Sequence, residues 1–164
     1  MITNIETELH SSLFEYVNHC EEELLLGQPA EFHYPKALVG KKTTDSIWGE
    51  KVNEIKALNK LLLSGLRNKA NIYAIFTKDR GSNSWDAKYV GESKSVDMRT
   101  RMTAHLIKKH NMTGSKLAEV RASISKGKLI SIRFIYLPEE ALRTFIEEKI
   151  ISNNKNSLEW NKNS

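Results

Sequence analysis

The hydrophobic pattern of this chain changes period once, at about Arg67, and that change limits the fold more than any other feature. Upstream, apolar residues recur three and four apart. Downstream they form β-branched and aromatic blocks separated by turn residues. Such a chain has to lay helices against a sheet, which places it in the mixed α/β or α+β class. Ile72-Tyr73-Ala74-Ile75-Phe76-Thr77 reads as a strand, Asp79 to Ser84 as a turn, and Ala87-Lys88-Tyr89-Val90-Gly91 as the returning strand of an antiparallel hairpin. Val96, Met98, Met102 and Leu106 predict a half-buried helix over 95–110, followed by a short helix over 115–125. Residues 129–137 supply a third strand, and Pro138 opens a helix running to about 151. The expected core is a small three-stranded antiparallel or mixed sheet flanked by helices.

The upstream part reads as helices. Thr3-x-x-Glu6 makes a capping box, and Ile5, Leu9, Leu13, Tyr16, Val17, Cys20 and Leu24 form one stripe that Gly27 can end. Residues 28–43 carry Pro29, Pro35 and Gly40 without periodicity and read as a loop. Thr44 or Asp45 can cap a second helix with Trp48, Val52, Ile55, Leu58 and Leu62 on one face, ending at Gly65. Residues 1–69 are therefore expected to be a helical extension of an α/β domain over 70–164. With 40% hydrophobic and 27% charged residues and no apolar run of membrane length, a soluble cytoplasmic protein is expected. The one cysteine, Cys20, excludes an intrachain disulfide and a cysteine-based zinc finger, and its place on the stripe marks it as a core thiol.

Charge is divided along the chain. Residues 1–35 hold seven acids (Glu6, Glu8, Glu15, Glu21, Glu22, Glu23 and Glu31) and no Lys or Arg, so the remainder must carry about +12 to reach the total of +5. A basic body of this kind attracts polyanions and releases counterions on binding them. The acidic arm would repel DNA, and its apolar stripe has to pack on the body or on a second subunit.

Tyr73 and Tyr89 fall on neighbouring strands, and Arg101 and His105 follow one helical turn apart. Together they offer a phosphodiester a proton acceptor, an electrostatic clamp and a proton shuttle. With Asn71-Ile72-Tyr73 and Tyr89-Val90-Gly91 as its two motifs, the segment from about 70 to 164 resembles the GIY-YIG nuclease family, a small α/β domain that cleaves DNA with one divalent metal. Asn71 stands where the family usually has Gly.

The resemblance implies roles for particular residues. Tyr73 would deprotonate or orient the attacking water, with Lys88 as the nearby cation that lowers its pKa. Tyr89 would hydrogen-bond phosphate or water, Arg101 would grip the phosphate, and His105 would pass a proton. Arg99 lies at the ungapped distance from Gly91 that many relatives use, whereas Arg101 keeps the spacing to His105. Of the adjacent Glu147 and Glu148, the apolar positions that follow select Glu147 as the ligand of a magnesium ion, for which manganese can substitute. Asn161 would close the site.

A stand-alone chain of this family looks like its Type II restriction endonucleases, in which segments around the core read bases and a homodimer cuts both strands of DNA. A phage or mobile-element nuclease of relaxed specificity would share the same catalytic residues, and an idle nucleic-acid-binding module would keep the fold alone. The loop from His33 to Lys42 and the segment from Lys108 to Lys128 are candidate readers. Lys41, Lys42, Lys94, Arg99, Lys108, Lys109, Lys116 and Arg121 are candidate DNA contacts.

Overall fold

A computed structural model describes residues 2–7, 12–109 and 114–162. Five strands, β1 (Thr3–Asn4), β2 (Ala30–Phe32), β3 (Ile72–Lys78), β4 (Asp86–Glu92) and β5 (Leu129–Tyr136), make one mixed sheet. β3 runs antiparallel to both β4 and β5. The far side of β5 is shared by β2, antiparallel at Ile130 to Ile132, and by β1, parallel at Ile135 and Tyr136. The sheet is therefore larger than the three strands expected, and the first 69 residues are part of it.

Alternation along β3 divides the core into two layers, because successive side chains of a strand point to opposite faces. Tyr73 and Ile75 join one apolar cluster with α2 (Asp45–Glu50), α3 (Val52–Leu58), α4 (Lys60–Ser64), α5 (Met98–Leu106) and α6 (Leu117–Ser125). Ile72, Ala74 and Phe76 join the other with α1 (Leu13–Leu25) and α7 (Arg143–Asn153). The result is a sheet with helices on both faces. Among the described residues, no helix is long and apolar enough to cross a membrane.

Several local features differ from the sequence reading for identifiable reasons. Thr3 pairs with Ile135 in the sheet, and α1 is capped by Ser12, whose hydroxyl accepts the Glu15 N–H. Leu9, placed on the expected stripe, and Glu8 lie outside the described residues. The acidic helix packs on the body through Tyr16, Val17, Cys20 and Leu24. The expected second helix is broken into α2, α3 and α4. Residues 28–43, expected as a loop, contain β2, and Asn59, buried at the second break, turns its side chain to both the N–H and the C=O of His33 at 2.8 Å, tying the end of that strand to these helices. Thr44 does cap α2, accepting from Ile47 N–H.

Candidate active site

Five side chains singled out from the sequence meet on the edge of the sheet between α5 and α7. Tyr73, near the start of β3, and Tyr89 on β4 face the α5 side. Their ring centroids are 6.0 Å apart, and each is 5.4 Å from the His105 ring. Gly91 makes this triangle possible. It lies opposite Tyr73 in register, and a Cβ there would fall on the Tyr73 hydroxyl, 2.5 Å from Cζ and 2.9 Å from Tyr89 Cε1. Gly91→Ala is expected to displace the Tyr73 ring, lowering stability by roughly 1–3 kcal/mol, as overpacking does. Melting followed by circular dichroism measures that cost, and an unchanged midpoint would show that the rings can yield.

The hydrogen-bond directions around Tyr73 follow from one backbone donor. Lys116 N–H bonds His105 Nδ1 at 3.0 Å, and a backbone N–H can only donate. The proton of the neutral ring therefore sits on Nε2, which donates to Tyr73 Oη at 2.6 Å. Arg101 Nε donates to the same oxygen at 3.2 Å. Two N–H groups thus converge on one phenol oxygen and would stabilise its charge once the proton is lost. Burial pushes the Tyr73 phenol well above its usual range, with Tyr89 adding to the rise and Arg101 pulling the other way. Burial, then Arg101 and Lys116, drives His105 down to about 3. The backbone donor on Nδ1 and this lowered value favour the neutral ring, donating through Nε2, over the charged form that a proton shuttle passes through.

Glu147 on α7 joins the cluster from the other layer. Its carboxyl is raised to about 7 by burial, then by Glu92 and Glu148, against the pull of Arg101. Its charge in turn acts on Tyr89. Glu148 is exposed, and Arg143 Nε holds Glu92 Oε2 at 2.6 Å. Glu92 escaped the sequence reading although it directly follows the Tyr89-Val90-Gly91 motif. No group of three or more His, Cys, Asp or Glu poised for a metal occurs among the described residues. A mostly hydrated magnesium ion needs only one or two carboxylates, and the poorly compensated charge of Glu147 beside Glu92 fits one.

The remaining candidates are distributed differently from expectation. Lys88 is the residue inserted at a β-bulge in β4, and its Nζ pairs with Glu159 at 3.2 Å. The cation that acts on Tyr73 is Arg101, and Lys116 Nζ lies 5.2 Å from the Tyr89 ring centroid. Lys116 was expected on a DNA-facing surface, but it is buried. Asn161 spans both the N–H and the C=O of Val90 at 2.9 Å, covering the open edge of β4 between Tyr89 and Gly91. Its role is to position that strand. Asn71 does the same where β3 and β5 diverge, bonding Leu137 N–H and C=O at 2.8 Å.

Arg99 is exposed and lines a groove of about 580 Å³ with Lys56, Lys60, Thr100 and Thr103. Lys108 and Lys109 border a second groove beside Trp48 and Val52. Arg121, also there, is engaged internally, with Nη1 2.7 Å from Asp45 Oδ1 and its guanidinium over the Trp48 ring. Lys41, Lys42 and Lys94 are exposed. No protein-family model, no curated protein and no solved structure matches the chain.

Proposed function

We propose that the chain is a metal-dependent GIY-YIG endonuclease that hydrolyses DNA phosphodiester bonds. The observation that carries this reading is the double donation by Arg101 and His105 to the Tyr73 hydroxyl, with Glu147 in electrostatic reach of the same arginine. Hydrolysis needs a group to take a proton from water, positive charge against the phosphate, and a dry enough setting for both to act.

In this reading the tyrosine pair is the proton acceptor. Tyr73 is fully enclosed, whereas Tyr89, its ring centroid 6.0 Å away, is 5% exposed and is the member of the pair nearer to entering water and phosphate. One phenol of the pair first loses its proton to solvent, with Arg101 favouring the loss against burial; the attacking water then gives its proton to that phenolate, and its oxygen bonds to phosphorus as the P–O3′ bond breaks. The departing oxygen takes a proton from solvent. Arg101 stabilises the phenolate and faces the phosphate, and His105 fixes the Tyr73 oxygen. Glu147, with Glu92 beside it, would hold a divalent ion, which would supply positive charge next to the phosphate.

Sequence-specific double-strand cutting, as by a Type II restriction enzyme acting as a homodimer, is the subtype we infer. It is supported by the way residues 1–69 wrap the nuclease core and add basic walls to it, including Lys56 and Lys60 opposite Arg99. These cations would follow the phosphate backbone. Incubation of supercoiled plasmid with magnesium or manganese is expected to give discrete, reproducible fragments, and EDTA to prevent them. A smear would remove sequence specificity while leaving the nuclease; DNA binding with no cleavage under either ion would remove the enzyme and leave an idle binding module.

A further inference from the structure

Lys116 is a buried cation with an unusual setting. It is 4% exposed, and among the described residues no carboxylate or other acceptor bonds its ammonium. Burying an ammonium without an anion is costly, and a cation–π contact recovers only part of that cost. The local backbone nevertheless holds it there firmly. Ser115 Oγ donates to Ala104 C=O at 2.6 Å and accepts the Leu117 N–H at 3.2 Å, while the Lys116 N–H is fixed on His105. Residues 115–117 are thus pinned on both sides of Lys116, with its side chain over Tyr89. Gly114, at φ 76°, lies close to the Arg101 guanidinium, whose Nη2 would be 3.7 Å from a Cβ there.

We propose that the Lys116 ammonium binds a non-bridging oxygen of the scissile phosphate, as the second cation of the site beside Arg101. The inference rests on the endonuclease reading and deepens it. Both cations flank Tyr89, so the missing counter-charge is supplied when the phosphodiester enters. A cation with no anion among the described residues suits a transition-state clamp, because its stabilisation is released only on substrate.

Lys116→Met tests it, since methionine keeps the backbone N–H on His105 and the packing on Tyr89 while removing the charge. Single-turnover cleavage under magnesium should fall about 10²–10³-fold, the loss typical of one transition-state donor. DNA affinity should change less than about threefold, because most phosphate contacts lie elsewhere. Substrates with sulfur in place of one non-bridging oxygen give the readout that a structural role would not move. Wild type should discriminate between the two diastereomers, Lys116→Met should lose that discrimination, and Lys116→Arg should restore part of it. Cleavage within threefold of wild type, or a slow variant with discrimination intact, would overturn the proposal.

Thermal shift by inorganic phosphate separates this idea from the reading beneath it. If wild type cuts no DNA but phosphate raises its melting point in a Lys116-dependent way, the anion site stands and the nuclease reading falls. If wild type cuts and Lys116→Met cuts equally well, the reverse holds.

Discussion

Arg101→Ala is expected to lower single-turnover cleavage by at least about 10³-fold, more than a lost surface contact could explain. Its Nε is one of the two donors on the Tyr73 oxygen, and its charge pulls down both tyrosines as well as Glu147. Without it the phenols lose their main opposition to burial, so the rise of rate with pH should move to higher pH. Lysine should recover little, since a point charge cannot reproduce donation from Nε together with a second contact from the same planar group. Arg99→Ala supplies the comparison. That side chain is exposed on the groove with Lys56 and Lys60, so its loss should weaken DNA binding and make that binding less sensitive to salt while sparing the bound rate within about tenfold. A larger effect from Arg99 than from Arg101 would reverse the assignment.

The choice between these arginines shows how far the sequence carries. Spacing of four to His105 selects Arg101 only on a helix, and α5 does place both at the tyrosines. The β3–β4 hairpin and β5 were legible because each is a run of seven or eight residues with its own punctuation. β1 and β2 were not, because two and three residues have no measurable period and exist only by pairing with β5. Likewise nothing local announces the break at Asn59, whose partner is the backbone of a residue 26 positions away.

Side-chain roles were harder to read for a related reason. Adjacency to Tyr89 suggested Lys88, but a bulge at that residue and the reach of Glu159 take its charge elsewhere. The cation that does approach Tyr89 comes from Lys116, and its burial depends on the Ser115 anchor and on His105 accepting a backbone donor. Such a contact is a property of the folded layers. Sequence spacing has no term for it.

Glu147→Gln should remove cleavage, by about 10³-fold or more, and at the same time make the metal-free protein more stable at alkaline pH. The carboxyl is raised from 4.5 to about 7 by burial and by Glu92 and Glu148. Because the folded value lies above the unfolded one, the folded state holds the extra proton between these values. The stabilisation from that proton is complete below about pH 4.5 and disappears as pH rises through 7, where the ionised carboxylate becomes a burden. Glutamine mimics the protonated form at every pH. Allowing for partial solvent screening, the variant should be more stable than wild type by roughly 1–2 kcal/mol at pH 8, a melting point higher by roughly 2–6 °C. At pH 4 the two should melt together. Magnesium should narrow the gap at pH 8 by stabilising wild type alone, since only the carboxylate gains from the ion. Melts in EDTA and in magnesium at both pH values test each step: a variant no more stable than wild type at pH 8 would falsify the strained carboxylate, and a gap that magnesium leaves untouched would remove Glu147 as its ligand.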